Sequence, residues 1–266
     1  MLDPQTVYNF LQELRPRQVP WVPHPAILTF LGTTGASGTH PSVALARVVE
    51  LAPGAAPSDM NVRLSGALPR PPLVGESVTV SISKYEQYHG YQIKTAPLRA
   101  RGAESEAYEV PRRGELLLHG KRAYTTHHGP YDLNFFERIP FDEVQRTVGV
   151  VRHGVVAVGP DVNVSPRHMF HHELVHGRLV TYHGDGLAMK TFRNLQVNKA
   201  SVRLVFDLVA LKGYALFGAI EEIPGEQAPA AHEQVCAGFV ALGYGRPSRI
   251  WRHVTDRIEP VAVATA

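Results

Sequence analysis

The 266-residue chain has one cysteine, Cys236, no long apolar run and no block of basic residues. A lone cysteine excludes an intramolecular disulfide and a zinc cluster built from thiolates. No stretch approaches the roughly 20 apolar residues of a membrane-spanning helix. The formal charge is only +3, and the arginines are spread along the chain. With an amphipathic start in place of a signal peptide, these absences predict a cytoplasmic protein that binds neither nucleic acid nor membrane.

Short strands dominate the pattern, because β-branched and aromatic residues recur between glycines and prolines. The sequence predicts strands at 25–33, 41–51, 78–84, 90–95, 114–126, 148–159, 177–183, 201–209, 213–223 and 248–258. Apolar residues at helical spacing predict helices at 4–14, 186–197 and 226–242. Many short strands with few helices predict a mainly β protein with an antiparallel barrel or sandwich.

The two halves of the chain resemble one another. The segment VTVSISKYEQYHGYQIKTA in the first half matches VRLVFDLVALKGYALFGAI in the second, and HPSVALARV matches NVSPRHMF at nearly the same offset. Repeats in register predict a tandem duplication. We therefore expect one domain at 1–135, which includes the N-terminal helix, and a second at 136–266. The charged segment at about 101–115 is expected to be a loop-like insertion in the first copy.

Three segments of the second copy carry a family likeness: NVSP (163–166), the long stretch from LVTYHGDG to SVRLVFD (179–207) and GYALFGAIEE (213–222). A fainter version occurs in the first copy, at 28–50 and 89–95. Together they resemble the FMN-binding split-barrel family that includes pyridoxamine 5′-phosphate oxidase. The resemblance implies two tandem split β-barrels forming an intramolecular pseudo-dimer. It also implies an FMN-dependent oxidoreductase that acts on a small molecule.

The segment KTFRN, from Lys190 to Asn194, lies where a helix is predicted to start. A helix N-terminus presents unpaired N–H groups and a partial positive charge, which suit a phosphate. The resemblance implies that FMN is held by polar residues here and on the preceding strand: Asn163, Ser165, Arg167, Lys190, Thr191 and Arg193. The alternative is a solvated helix start whose cations serve solubility. The first copy has the proline-rich SGALPRPPLVGES (65–77) instead, so we expect the second copy to bind the cofactor.

His89 and Tyr91 are the candidates on the substrate side, within HGYQIKT. An aromatic ring can stack on a flavin, and histidine can act as an acid or base near neutral pH. The alternative is cross-strand packing in a hairpin without catalytic function.

The stretch HELVH, from His172 to His176, matches the HExxH pattern of zinc hydrolases. That site requires a helix, because only a helical turn brings both histidines to one face. The strand-like GRLVTYH follows immediately, and the resemblance implies strand, turn and strand here. We therefore predict no metal site, and a zinc hydrolase ranks third among the functions considered.

Several alternatives stay open at this stage. The cofactor could be a deazaflavin or haem in place of FMN, and the protein could bind flavin or haem without turnover. Homodimerisation of the whole chain is also open.

Overall fold

A computed structural model describes the following residues: 2–13, 25–31, 40, 42–53, 60–65, 77–84, 89–95, 99–100, 107–110, 116–119, 124–126, 152–158, 162–167, 171–185, 189–207, 210–241 and 245–262. Within them the protein is mainly β, and its strands pair antiparallel. The helices are α1 (Pro4–Glu13), α2 (Met189–Val197) and α3 (Pro229–Ala241), with a 3₁₀ turn at Gly225–Gln227. The mainly β class and the three predicted helices are confirmed. None of these helices is long and apolar enough to cross a membrane.

The described strands of the first half form one sheet. Its strands are β1 (Pro25–Leu31), β2 (Ser42–Pro53), β3 (Met60–Ser65), β4 (Ser77–Lys84), β5 (His89–Thr95), β6 (Arg99–Ala100), β7 (Ala107–Val110), β8 (Leu116–His119) and β9 (Tyr124–Thr126). Their order across the sheet is β6-β7-β3-β2-β1-β4-β5-β8-β9. Consecutive strands are mostly neighbours, as in a sheet built from hairpins.

The described strands of the second half form another sheet. Its strands are β10 (Arg152–Val158), β11 (Val162–Arg167), β12 (His171–Val175), β13 (Arg178–Asp185), β14 (Ala200–Asp207), β15 (Lys212–Glu222) and β16 (Arg249–Ala262). Their order is β11-β10-β14-β15-β16-β13-β12. The last strand, β16, lies between β15 and β13. The C-terminal strand therefore pairs with a strand from earlier in the second half.

The same four-strand order occurs in both sheets. The order β2-β1-β4-β5 in the first corresponds to β11-β10-β14-β15 in the second. The hairpins β4–β5 and β14–β15 are the two segments that match in sequence, and both pair antiparallel. Each sheet takes its strands from one half, but α1, which the sequence division places in the first domain, packs on the second sheet. The division at 135/136, like the proline-rich residues 66–76, lies outside the described residues.

Part of the predicted insertion at 101–115 contributes to the first sheet. Its residues 107–110 form β7, which pairs with β3, so the expectation of a loop-like segment is wrong there. The single strand predicted at 114–126 is two short strands, β8 and β9, paired with one another. Strands this short carry little periodic signal, and β7 and β8 also pair with strands that do not adjoin them in sequence, β3 and β5.

Helix α1 begins where its sequence predicts. The Asp3 carboxylate accepts a hydrogen bond from the Gln5 backbone N–H at 3.1 Å, and Pro4 occupies the first helical position. Val7 and Leu11, one turn apart, are buried against an apolar cluster of the second sheet: Leu179, Val205, Leu216 and Ile258. Burying each side chain contributes about 1.5–3 kcal/mol. The N-terminal helix therefore belongs to the hydrophobic core of the second sheet.

Helix α3 covers another part of the second sheet. Ala231, Val235 and Cys236 form its buried face, and they pack with Val180, Tyr182 and Ile250 in one cluster. The chain's single cysteine, Cys236, is therefore a buried free thiol.

Candidate functional site

The two segments predicted to hold a phosphate lie on neighbouring elements. Helix α2 packs against β10 and β11. In the β10–β11 register, Asn163, Ser165 and Arg167 face Ala157, Val155 and His153 respectively. Because alternate residues of a strand share a face, the three predicted positions lie on one face of β11.

The predicted residues of α2 do not all share one side of the helix. Thr191 is buried, at 2% exposure, whereas Arg193 is exposed. Residues two apart in a helix point in nearly opposite directions, so the two side chains are not brought together. Leu195 and Phe192 pack with Trp251 and anchor the helix to the sheet. Lys190 lies in the first turn of α2.

Strand β11 lies where the two sheets meet. It contacts β1 and β4 of the first sheet, and β16 of the second sheet contacts β2. His40, from the first half, donates a hydrogen bond from Nε2 to the Gly218 carbonyl at 2.9 Å, and its ring meets Phe217 edge-on at 5.8 Å. The register of β15 and β16 shifts between Phe217 and Gly218. A bulge of this kind redirects backbone groups, which explains how a strand carbonyl comes to accept from another sheet.

The two substrate-side candidates lie one strand away from this junction. His89 and Tyr91 are on β5, which pairs with β4, and their partners there are Lys84 and Ile82. Being two apart, they occupy the same face of the strand. Their catalytic function stays a prediction.

The HExxH reading of residues 172–176 is wrong. His172 lies in β12, and His176 with Gly177 forms the turn into β13 at φ 50° and 75°. Two successive residues with positive φ between paired strands indicate a type I′ hairpin turn. Extended backbone places residues four apart about 13 Å from one another, so His172 and His176 do not come together on one ion as the zinc motif requires. In the part of the chain that the structure covers, no three ligand-type residues group as a metal site.

Neighbouring histidines of β12 face different elements. His171 Nδ1 lies 2.6 Å from Gln234 Oε1 of α3. His172 Nε2 lies 3.2 Å from Gln12 Nε2 of α1, and its ring meets Tyr8 edge-on. Burial lowers the pKa of His172, and the neighbouring His171 lowers it further. His172 therefore packs as a neutral side chain beneath α1.

Tyr182 ties β13 to β12. Its hydroxyl donates to Glu173 Oε1 at 2.6 Å, and Arg252 on β16 pairs with Glu221 at 2.7 Å. Burial, with a contribution from Glu173, raises the pKa of Tyr182 to about 12. The phenol keeps its proton near neutral pH, so it holds the strands and does not serve as a base.

A buried polar cluster on the second sheet was not predicted from the sequence. It comprises Thr181, His183, Ser201, Arg203, His253 and Thr255, each at most 4% exposed. Arg203 on β14 donates to the Thr181 hydroxyl, and its Nη2 lies 2.5 Å from His183 Nδ1 on β13. Strands β15 and β16 lie between β14 and β13 in the sheet, so this contact shows that the sheet curls. The available signal was a polar residue at every second position in otherwise apolar strands.

No family model matches the sequence, and no curated protein matches it. Two solved structures are similar, both HupZ from Group A Streptococcus, one of them a histidine-to-alanine variant. The variant is 17% identical with a TM-score of 0.34, and the alignment covers 45% of this chain and 97% of that one. The other is 18% identical with the same TM-score, covering 43% and 90%. A likeness this remote assigns no ligand.

Proposed function

We propose that the chain binds FMN where its two sheets meet, and that it is an FMN-dependent oxidoreductase acting on a small molecule. The observation that carries this proposal is the placement of β11. Helix α2 packs against it, and β1 and β4 of the other sheet contact it. The segments that resemble the phosphate-binding part of the split-barrel family therefore adjoin, at the junction of two similar four-strand units. In this proposal the junction is the pseudo-dimer that a tandem duplication would form.

The residue types at these positions suit a phosphate monoester. The first turn of α2 supplies backbone N–H groups and the positive end of the helix dipole. Lys190 and Thr191 lie in that turn, and β11 contributes Asn163, Ser165 and Arg167 at alternate positions. Amide, hydroxyl and cationic donors of this kind form strong bonds to an oxyanion. Arg193 is exposed, so it would act through its charge at longer range.

The bound flavin would accept or donate a hydride, and the protein would position the substrate. His89 and Tyr91 are the candidates for that positioning, because β5 is the strand next to β4 at the junction. Histidine can take up or release a proton near neutral pH. In this proposal His89 exchanges the substrate proton and Tyr91 orients the substrate.

The second candidate function is a flavin- or haem-binding protein without turnover. It is favoured by His40, which reaches the second sheet from the first half, and by His183 and His253 buried in that sheet. Imidazole is a common axial ligand of haem iron. A deazaflavin would use the same donors as FMN.

Reduction of bound flavin distinguishes the two functions. The protein would be loaded with FMN, freed of excess cofactor and mixed anaerobically with a nicotinamide hydride donor or a dithionite control. An enzyme of the proposed class loses its flavin absorption with the biological donor and regains it with an oxidised substrate. If dithionite bleaches the bound flavin but none of a panel of small-molecule donors does, binding without turnover is favoured.

A further inference from the structure

Three buried polar residues lie on neighbouring positions of strands β14 and β16 in the second sheet. Ser201 on β14 faces Gly218 on β15, which in turn faces Thr255 on β16. His253 lies two residues before Thr255, opposite Thr181 of β13. Alternate residues of a strand share a face, so His253 and Thr255 are on the same side of β16. We call Ser201, His253 and Thr255 the polar cradle.

The cradle has hydrogen-bonding capacity that neighbouring side chains leave unused. The hydroxyls of Ser201 and Thr255 are buried and meet no hydrogen-bond partner within the described chain. Neither ring nitrogen of His253 makes a hydrogen bond of good geometry there. The three residues are at most 4% exposed, so bulk water does not reach them. Buried polar groups are normally satisfied, and a cluster of unsatisfied ones indicates a bound molecule or ion.

Two basic side chains, Arg203 and His40, act on His253 of the cradle. Arg203 carries a permanent charge and lies in the same buried cluster, bonded to Thr181 and His183. Burial holds the pKa of His253 well below its usual range, Arg203 and His40 lower it further, and the Ser201 backbone only partly offsets this. His253 is therefore a neutral donor in a positive field. Hydroxyl and imidazole donors beside a guanidinium suit an anion better than a cation.

We propose that the polar cradle binds one small oxyanion, of carboxylate or phosphate type, inside the second sheet. The Ser201 and Thr255 hydroxyls and one His253 N–H donate to its oxygens, and Arg203 supplies the compensating charge. His40, bonded to the Gly218 carbonyl, places the junction of the two sheets beside the cradle. This site uses other residues than the proposed FMN site and does not depend on it: the cradle is formed by β14 and β16, whereas the proposed phosphate donors lie in the first turn of α2 and on β11.

The test is calorimetric titration of the full chain, first dialysed into an oxyanion-free buffer, with inorganic phosphate and separately with acetate. Ionic strength is held constant with chloride. The wild type is expected to bind one equivalent of at least one probe. A double variant, Ser201→Ala with Thr255→Val, is expected to weaken that affinity at least tenfold, which is about 1.4 kcal/mol. Tighter binding of acetate would indicate a carboxylate ligand, and tighter binding of inorganic phosphate a phosphate ligand.

Two further variants distinguish binding at the cradle from binding at the proposed FMN site and from a general effect of losing a buried hydroxyl. Ser81→Ala removes another buried hydroxyl without a partner, but in the first sheet, and should leave binding unchanged. Lys190→Ala tells the two proposed sites apart. Binding that the double variant loses and Lys190→Ala keeps belongs to the cradle, whereas binding that Lys190→Ala loses and the double variant keeps would place the anion at the proposed FMN site and overturn the cradle. Absence of saturable binding to the wild type, with only a stability change in the double variant, would mean that the cradle holds water alone and would also overturn the proposal.

Discussion

Arg203 on β14 and His183 on β13 are in contact, with Nη2 and Nδ1 2.5 Å apart, although two strands separate theirs in the sheet. Both side chains are buried. Since Arg203 is the donor, His183 Nδ1 accepts and the ring proton lies on Nε2. This contact links the two sides of the curled sheet through its polar interior.

Replacing Arg203 with leucine should lower the free energy of unfolding by about 3 kcal/mol, because the Thr181 hydroxyl and His183 Nδ1 then lose a charged donor. Urea unfolding followed by intrinsic fluorescence measures the change. The matched control is Arg193→Ala, on the exposed side of α2, which should stay within about 0.5 kcal/mol of the wild type. A loss below about 1 kcal/mol in the leucine variant would show that the bridge does not hold the sheet in its curled form.

The Gly218→Ala variant should be destabilised by about 3 kcal/mol, because an added Cβ would lie 2.0 Å from the Val254 carbonyl oxygen. The same shift would disturb the carbonyl that accepts from His40. Gly245→Ala is the control, since nothing lies within 4 Å of its added Cβ. Thermal unfolding of both variants measures the difference, and equal melting temperatures would contradict the bulge geometry.

A substitution in the hairpin turn between β12 and β13 should stabilise the protein. His176 has a φ of 50°, a conformation that asparagine tolerates better, and asparagine followed by glycine is preferred in type I′ turns. His176→Asn should therefore raise the free energy of unfolding by about 0.5 kcal/mol. Metal analysis of the same variant should match the wild type. A fall in both stability and bound zinc would restore the zinc-hydrolase reading.

Stability should decrease as the pH falls below about 6.5, the ordinary pKa of histidine. Burial lowers the folded-state pKa of His172, so the unfolded chain binds the proton first and acid favours unfolding. His172→Gln should make the urea midpoint less dependent on pH between about 7.5 and 5.5. His176→Gln, at the exposed turn, serves as the control. An unchanged pH dependence in the His172 variant would place the titrating group elsewhere.

Helices and hairpins, which depend on residues close in sequence, were predicted from the sequence, whereas a strand that depends on distant pairing was not. The helices follow from local spacing and capping, as Asp3 and Pro4 show for α1. The β4–β5 and β14–β15 hairpins follow from the internal repeat. Strand β7 was missed because its four residues are defined only by pairing with β3 and β6.

The candidate site shows the same division. The sequence placed β11 and α2 in order along the chain, but their packing against each other and the contact of β11 with β1 and β4 depend on tertiary structure. The opposite directions of Thr191 and Arg193 follow from helix geometry and were predictable. The contact between Arg203 and His183 was not, because it requires the curl of strands 20 residues apart in sequence. Alternating polar residues indicated only that the positions share a face.

The most direct test of the central claim is a fluorescence-quenching titration of FMN with the purified full chain and a Lys190→Ala, Thr191→Val variant. The proposed site predicts one FMN per chain for the wild type and an affinity at least about tenfold weaker for the variant, since its phosphate loses a cation and a hydroxyl. Lys199→Ala, which removes an exposed cation beyond the other end of α2, should bind like the wild type. Binding that is absent in all three proteins, or equal in all three, would contradict the claim.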